Sequence, residues 1–158
     1  MNRPRLRGRK GETYEGGQRV PMIVRWPGRV AAGETNAMAM NTDLLPTLLS
    51  LAGLPPPEDR VLDGRDLSGL LASGEASPHQ YLFYFPLLAS QPEAVRDARF
   101  KYLLATGDPG RDRPHLTRID ADLEAHDLRQ KHPEVARRLA AALEAKRQEI
   151  AENPRGWR

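Results

Sequence analysis

The chain has 158 residues, of which 39% are hydrophobic and 28% charged, with a net charge of +3 and no cysteine. That length holds one domain with a modest core, and the small positive excess gives no reason to expect a nucleic-acid partner. Disulfides, thiolate metal sites and a cysteine nucleophile are excluded, the redox compartment stays open, and no apolar run reaches the roughly 18 residues of a membrane span.

The 14 prolines favour turns over long helices. No signal-peptide pattern opens the chain and no internal repeat appears, so the compartment is undetermined. Arg3, Arg5, Arg7, Arg9 and Lys10 cluster at the start and can draw an anion or polyanion; a solvated basic terminus is the alternative. Gly8, Lys10, Gly11, Gly16 and Gly17 make a glycine-punctuated basic loop. Glycines let backbone turn sharply and approach a ligand closely, and the lysine offers a mobile charge to an oxyanion. Residues 20–26 form a short apolar, β-branched run closed by Pro27-Gly28, which reads as a buried strand.

After a loop over 27–37, Thr42 is the expected N-cap of a helix, with Asp43 and Pro46 in its first turn. Leu44, Leu45, Leu48, Leu49 and Leu51 give that helix a wide apolar face for core packing. Gly53 suits the C′ position, and Pro55-Pro56-Pro57 stops the helix. Residues 55–78 are turn-rich, with one helical turn at 67–72. Asp63 and Asp66 are spaced like metal ligands, but turn and capping chemistry ahead of Leu67 is the commoner explanation.

Residues 81–85 read as an aromatic strand stopped by Pro86. Two strands, 94–96 and 100–104, follow with a tight turn between them; 108–114 is a loop and 115–120 a last strand. Pro133 and Glu134 open a final helix, with Val135, Leu139, Ala142, Leu143 and Ile150 on one face.

The glycine loop also carries a family resemblance. Lys10-Gly11-Glu12-Thr13-Tyr14-Glu15-Gly16-Gly17, then Arg19-Val20-Pro21 and Arg25-Trp26-Pro27-Gly28, closely resembles the sulfatase segment G-K-G-x-x-Y-E-G-G-x-R-V-P-x-I-x-x-W-P-G. Residues 42–49 (TDLLPTLL) and 62–67 (LDGRDL) match further sulfatase segments in order, and 94–102 resembles the A-V-R-x-x-x-aromatic-K pattern of the C-terminal subdomain. Asp122-Leu123-Glu124 with Leu128, Pro133 and Glu134 is a worn version of the family's D-P-x-E-x-x-N-L…P-E ending. The resemblance covers nearly the whole chain but only the C-terminal part of a complete sulfatase.

It implies the end of an alkaline-phosphatase-like α/β sandwich followed by an α+β part, a small antiparallel sheet with a packed C-terminal helix. On this reading residues 1–75 belong to the catalytic domain and 76–158 to the C-terminal subdomain. The parent activity it implies is sulfate-ester hydrolysis of a sulfated small molecule or glycan, with a formylglycine nucleophile from C/S-x-P-x-R and calcium held by acids ahead of the Lys-Gly motif. Neither the nucleophile motif nor such acids are present, so the resemblance implies a start inside a longer protein, a missing N-terminal catalytic portion, and no turnover by this chain alone.

The one active-site residue carried over is Lys10, matching the lysine that contacts the sulfate; no catalytic residue and no metal ligand is assigned. Its alternative is an ordinary surface lysine, which the surrounding motif disfavours. Glu15, near Arg19, is expected to be a buried structural partner rather than an acid catalyst, and Arg25 has no stronger case. His79, His115, His126 and His132 match no metal-ligand spacing and are read as structural or exposed. Other readings stay open: a phosphodiesterase or phosphonate hydrolase of the same superfamily, a non-catalytic anion or sulfated-glycan binding module built on 3–10, or a truncated product without independent function.

Overall fold

A computed structural model of the chain describes residues 6–105, 112–120 and 124–152. They gather into two compact units, one combining 6–20 with the described residues of 81–152, the other spanning Pro21–Gln80. Arg3, Arg5, Asp122, Leu123 and most of the expected 108–114 loop lie outside the described residues.

The first unit holds a short helix α1 (Glu15–Gln18), four strands β1 (Leu82–Tyr84), β2 (Ala94–Arg96), β3 (Phe100–Leu103) and β4 (His115–Arg118), and the long helix α4 (Pro133–Glu152). The strands pair antiparallel in the order β1-β2-β3-β4, a meander. Tyr102 lies opposite Val95 and Leu116, and Lys101 opposite Arg96 and Thr117. Because side chains alternate along a strand, Val95, Tyr102 and Leu116 share one face. There they meet Ala136, Leu139 and Leu143 of α4, spaced at i, i+3 and i+7 on a single helical stripe. Lys101 and Leu103 point to the other face and are also fully buried, so both faces of this small sheet are covered. It is an α+β arrangement.

The β2–β3 turn is set by one side chain. Asp97 Oδ1 accepts the N–H groups of Arg99 (2.8 Å) and Phe100 (2.7 Å), while Arg138 of α4 donates to Oδ2. Burial opposes its charge, yet the Phe100 N–H, the Arg138 guanidinium and the Arg99 N–H outweigh burial and hold the carboxyl below its usual range. A carboxylate with a depressed folded pKa stabilises above its unfolded value near 3.9 and loses that contribution as pH falls through the folded value. Asp97→Asn is therefore expected to cost roughly 1–2 kcal/mol at neutral pH, in urea unfolding, with the difference from wild type closing below about pH 4.

In the second unit a 3-10 turn (Asn41–Asp43) leads into α2 (Leu44–Leu51), and α3 (Ser68–Ser73) packs against α2. α2 ends as its sequence dictates: Gly53 takes φ +68°, the Leu54 N–H reaches Leu49 O at 2.9 Å, and the Gly53 N–H reaches Ser50 O at 3.0 Å. This double closure caps the orphan carbonyls. The N-cap is Asp43, not Thr42. Asp66 Oδ1 accepts the Ser68 N–H at 2.8 Å and Oδ2 the Ser68 hydroxyl at 2.9 Å, so this acid starts α3.

Two expectations are corrected here. Residues 20–26 form no strand: Val20 is 77% and Ile23 93% exposed. A strand exists by pairing, and among the described residues none pairs with this segment. The leucines of α2 do not make a core either, since Leu44, Leu45 and Leu48 are exposed and Thr47 is the buried residue of the helix. Within Pro21–Gln80 the apolar residues Ile23, Leu54 and Val61 are exposed as well, so none of them covers these leucines. By contact, residues 6–20 group with the sheet. No described helix is long and apolar enough to cross a membrane.

Candidate functional site

The Lys10 loop is a closed hairpin of backbone. The Gly16 N–H donates to Arg7 O at 2.7 Å and shuts the loop at its base. At its tip, the Glu12 N–H donates to Arg9 O at 3.0 Å, which places Lys10 and Gly11 at the two central positions of a turn. Gly11 has φ +96°, a conformation glycine adopts without steric cost. Lys10 itself is exposed, its ammonium free to meet an anion from solvent.

The two glycines of Glu15-Gly16-Gly17 are there for contact. A Cβ on Gly16 would stand 2.6 Å from the carbonyl oxygens of Arg7 and Gly8, and one on Gly17 would stand 2.3 Å from Glu12 O and 2.5 Å from Arg9 O. Only bare backbone lets α1 sit that close under the turn. Gln18 ties it further, donating to Glu12 O (3.1 Å) and Phe85 O (3.2 Å), and the Leu87 N–H reaches Gly11 O at 3.1 Å.

Beneath the loop lies a buried ionic cluster. Glu15 is 2% exposed, Lys101 0% and Glu124 1%. Lys101 Nζ donates to Glu15 Oε1 at 3.0 Å and lies 3.2 Å from Glu124 Oε1, with Tyr84's ring 3.8 Å below it. Tyr84 Oη also donates to Glu15 Oε1 (2.9 Å), Arg96 Nη1 to Glu15 Oε2 (3.2 Å), and the Glu15 N–H to Glu124 Oε2 (2.8 Å). Arg7 caps the set, donating to Glu124 O at 2.6 Å while stacking 4.3 Å over Tyr14.

Charges this deep survive only when paired, and the pairing decides each direction. Burial works against the Glu15 charge, but Lys101, then Arg96 and Tyr84, hold its carboxyl below the ordinary range. Burial wins at Glu124, raising it despite Lys101, and at Lys101, lowering it despite both carboxylates. Tyr84 is pushed up by burial and by Glu15. The cluster lies between α1 and the strands, and Glu15 is a buried, paired acid as expected. Its side-chain partners come from β1, β2 and β3 rather than from Arg19, whose N–H instead reaches Glu15 O at 2.8 Å. Lys101 and Glu124 appear in the sequence only as members of the matched family patterns at 94–102 and 122–134, with no role assigned to them. The signal for Lys101 was a lysine between two aromatics in a strand, opposite in face to Tyr102.

The remaining residues sit elsewhere. Arg25 is exposed in the second unit. There His79 Nε2 lies 2.9 Å from both oxygens of Asp43, whose carboxylate also accepts the N–H groups of Met40 (2.6 Å) and Arg65 (2.8 Å). This is a structural histidine. His132 packs its ring 5.0 Å from Phe100, His115 Nδ1 lies 2.8 Å from Arg113 O, and His126 is exposed. Among the described residues no three His, Asp or Glu side chains could hold a metal ion.

Residues 9–148 match the family model described as N-sulphoglucosamine sulphohydrolase, C-terminal. The chain is 52% identical over 91 residues to arylsulfatase A of Homo sapiens, a match covering 58% of this chain and 17% of that relative. Among solved structures it is similar, at 28% identity and a TM-score of 0.78, to a 6S-sulf protein described under glycosaminoglycan metabolism in Bacteroides thetaiotaomicron, covering 90% of this chain and 32% of the other. Its fold is also shared, at a TM-score of 0.62 and 24% identity, with a protein solved with its substrate D-glucosamine-2-N,6-O-disulfate, covering 84% and 29% respectively. The chain thus spans about a sixth of the arylsulfatase and about a third of the solved structures.

Proposed function

The chain belongs to the sulfatase family, in its N-sulphoglucosamine sulphohydrolase C-terminal group, and from that premise we propose that it is the C-terminal portion of a sulfuric ester hydrolase. In that enzyme Lys10 holds the sulfate group of a sulfated small molecule or glycan. Residues 1–75 belong to the catalytic domain and 76–158 to its C-terminal subdomain, and the catalytic nucleophile and calcium site lie in an N-terminal portion. The observation that carries the reading is the Lys10 turn. A lysine is presented to solvent at the tip of a loop that two glycine contacts and a buried ionic cluster fix from below. A preordered cation of this kind loses little freedom on meeting an oxyanion.

A sulfate titration of the 158-residue chain, followed by amide chemical shifts at constant ionic strength, tests it. Shifts centred on Lys10 and Gly11 that vanish in Lys10→Ala are expected; shifts that persist in that variant would sink the assignment. The chain alone, containing no C/S-x-P-x-R, is expected to turn over no sulfate ester. Calcium-dependent hydrolysis of an aryl sulfate by the purified chain would refute that statement.

A further inference from the structure

We propose that Glu124 is a positioning residue for the Lys10 turn, gripping both ends of the loop from a point 109 residues along the chain. The inference deepens the reading of Lys10 as the sulfate-holding residue and rests on it. Glu124 has φ +64°, a left-handed conformation uncommon for a residue with a long side chain and one that costs energy unless its surroundings over-determine it. A turn that needed only this shape would be served better by glycine, which adopts it without strain. A buried glutamate in that conformation therefore points to work done by its carboxylate.

That work is directed at one segment. Glu124 Oε2 accepts the Glu15 N–H (2.8 Å) at the C-terminal end of the loop, and Glu124 O accepts Arg7 Nη1 (2.6 Å) at the N-terminal end. Lys101 ties Glu124 Oε1 (3.2 Å) to Glu15 Oε1 (3.0 Å) and closes the triangle. Between these anchors the Gly16 N–H meets Arg7 O at 2.7 Å, the bond that shuts the loop carrying Lys10. Glu124 touches neither Lys10 nor the anion it receives; it acts through Glu15, Lys101 and Arg7, limiting the conformations the turn explores before an anion arrives.

The test combines amide hydrogen exchange with the sulfate titration on the 158-residue chain. Glu124→Gly keeps the carbonyl for Arg7 and relieves the backbone strain, so any loss of protection traces to the missing side chain and not to the turn's conformation. Exchange at Glu12 and Gly16, whose N–H groups bond Arg9 O and Arg7 O, is expected to accelerate about 10- to 100-fold, as the loss of a charged hydrogen bond implies. Leu104 and Ile119, bonded to Glu93 O and Arg99 O, should keep their protection. Sulfate-induced shifts at Lys10 and Gly11 should weaken together with the loop.

Unchanged exchange at Glu12 and Gly16 in Glu124→Gly would reduce Glu124 to a turn residue and overturn the proposal. If that variant does not fold, Glu124→Gln, which keeps an acceptor for the Glu15 N–H, is read at the same amides and should show a smaller effect confined to them. Global loss of protection in both variants also overturns it. Lys10→Ala separates the two readings: with loop protection intact, persistence of the sulfate shifts removes the sulfate assignment, while exchange in Glu124→Gly still decides what Glu124 holds.

Discussion

Lys101→Met should lower the stability of the sheet unit by about 3–5 kcal/mol, the cost of leaving buried charge without its partner. Lys101 is fully buried between Glu15 and Glu124 and is the cation both carboxylates share. Methionine fills similar volume, so the loss is electrostatic rather than a cavity. Glu15 keeps Arg96 and Tyr84, whereas Glu124 loses its charged partner in this cluster while staying buried. Against a typical total of about 5–15 kcal/mol the loss is a large fraction, and it should depress the melting temperature by on the order of 20 °C.

The pH dependence of that deficit carries the mechanism. Burial already raises the Glu124 carboxyl against Lys101 and the Glu15 N–H; with Lys101 gone it is opposed less, so the folded carboxyl binds its proton more tightly still. A raised folded pKa makes the folded state bind more protons, and the variant gains stability relative to wild type as pH falls. The deficit should shrink between neutral pH and about pH 5. A deficit that is constant over that range would show that Lys101 contributes packing alone. Adding Glu124→Gln to Lys101→Met should recover part of the loss, a non-additivity that a double-mutant cycle reads directly.

This cluster was the part of the site hardest to read from sequence. Lys101 and Glu15 are 86 residues apart and Glu124 lies further still, and pairing over such separations leaves no local trace. What could be read was local chemistry. Gly53 and the prolines after it marked the end of α2, the two short runs 94–96 and 100–104 around a tight turn read as a hairpin, and Pro133 with Glu134 marked the start of α4. At Lys10 the residues themselves showed a glycine-punctuated turn, and its role as the sulfate-holding residue came from the sulfatase motif around it. The strand expected at 20–26 and the leucine face of α2 failed for one shared reason. Their apolar patterns are those of segments that pack against something, but periodicity records only that a partner is needed, and Pro21–Gln80 does not contain one for them.

Gly17→Ala should disable the Lys10 turn at a cost near the upper end of overpacking effects, roughly 3 kcal/mol. The added methyl would lie 2.3 Å from Glu12 O, 2.5 Å from Arg9 O and 3.0 Å from Glu12 C, all of them backbone atoms that cannot rotate aside as a side chain would. The carbonyls it displaces are in use: Arg9 O closes the turn around Lys10 and Gly11, and Glu12 O receives Gln18. Relief of the clash must therefore open the turn or lift α1 away from it. The expected result is a variant whose unfolding midpoint in urea falls and whose sulfate-induced shifts at Lys10 are lost, although Lys10 itself is unchanged. Gly33→Ala gives the contrast, since a methyl there meets nothing within 4 Å and should be neutral or stabilising by up to about 1 kcal/mol through the unfolded state. Equal behaviour of the two variants would mean that the close approach of Gly17 to the turn is not what shapes it. A large difference would place the selection for two adjacent glycines in the backbone geometry under Lys10 rather than in flexibility.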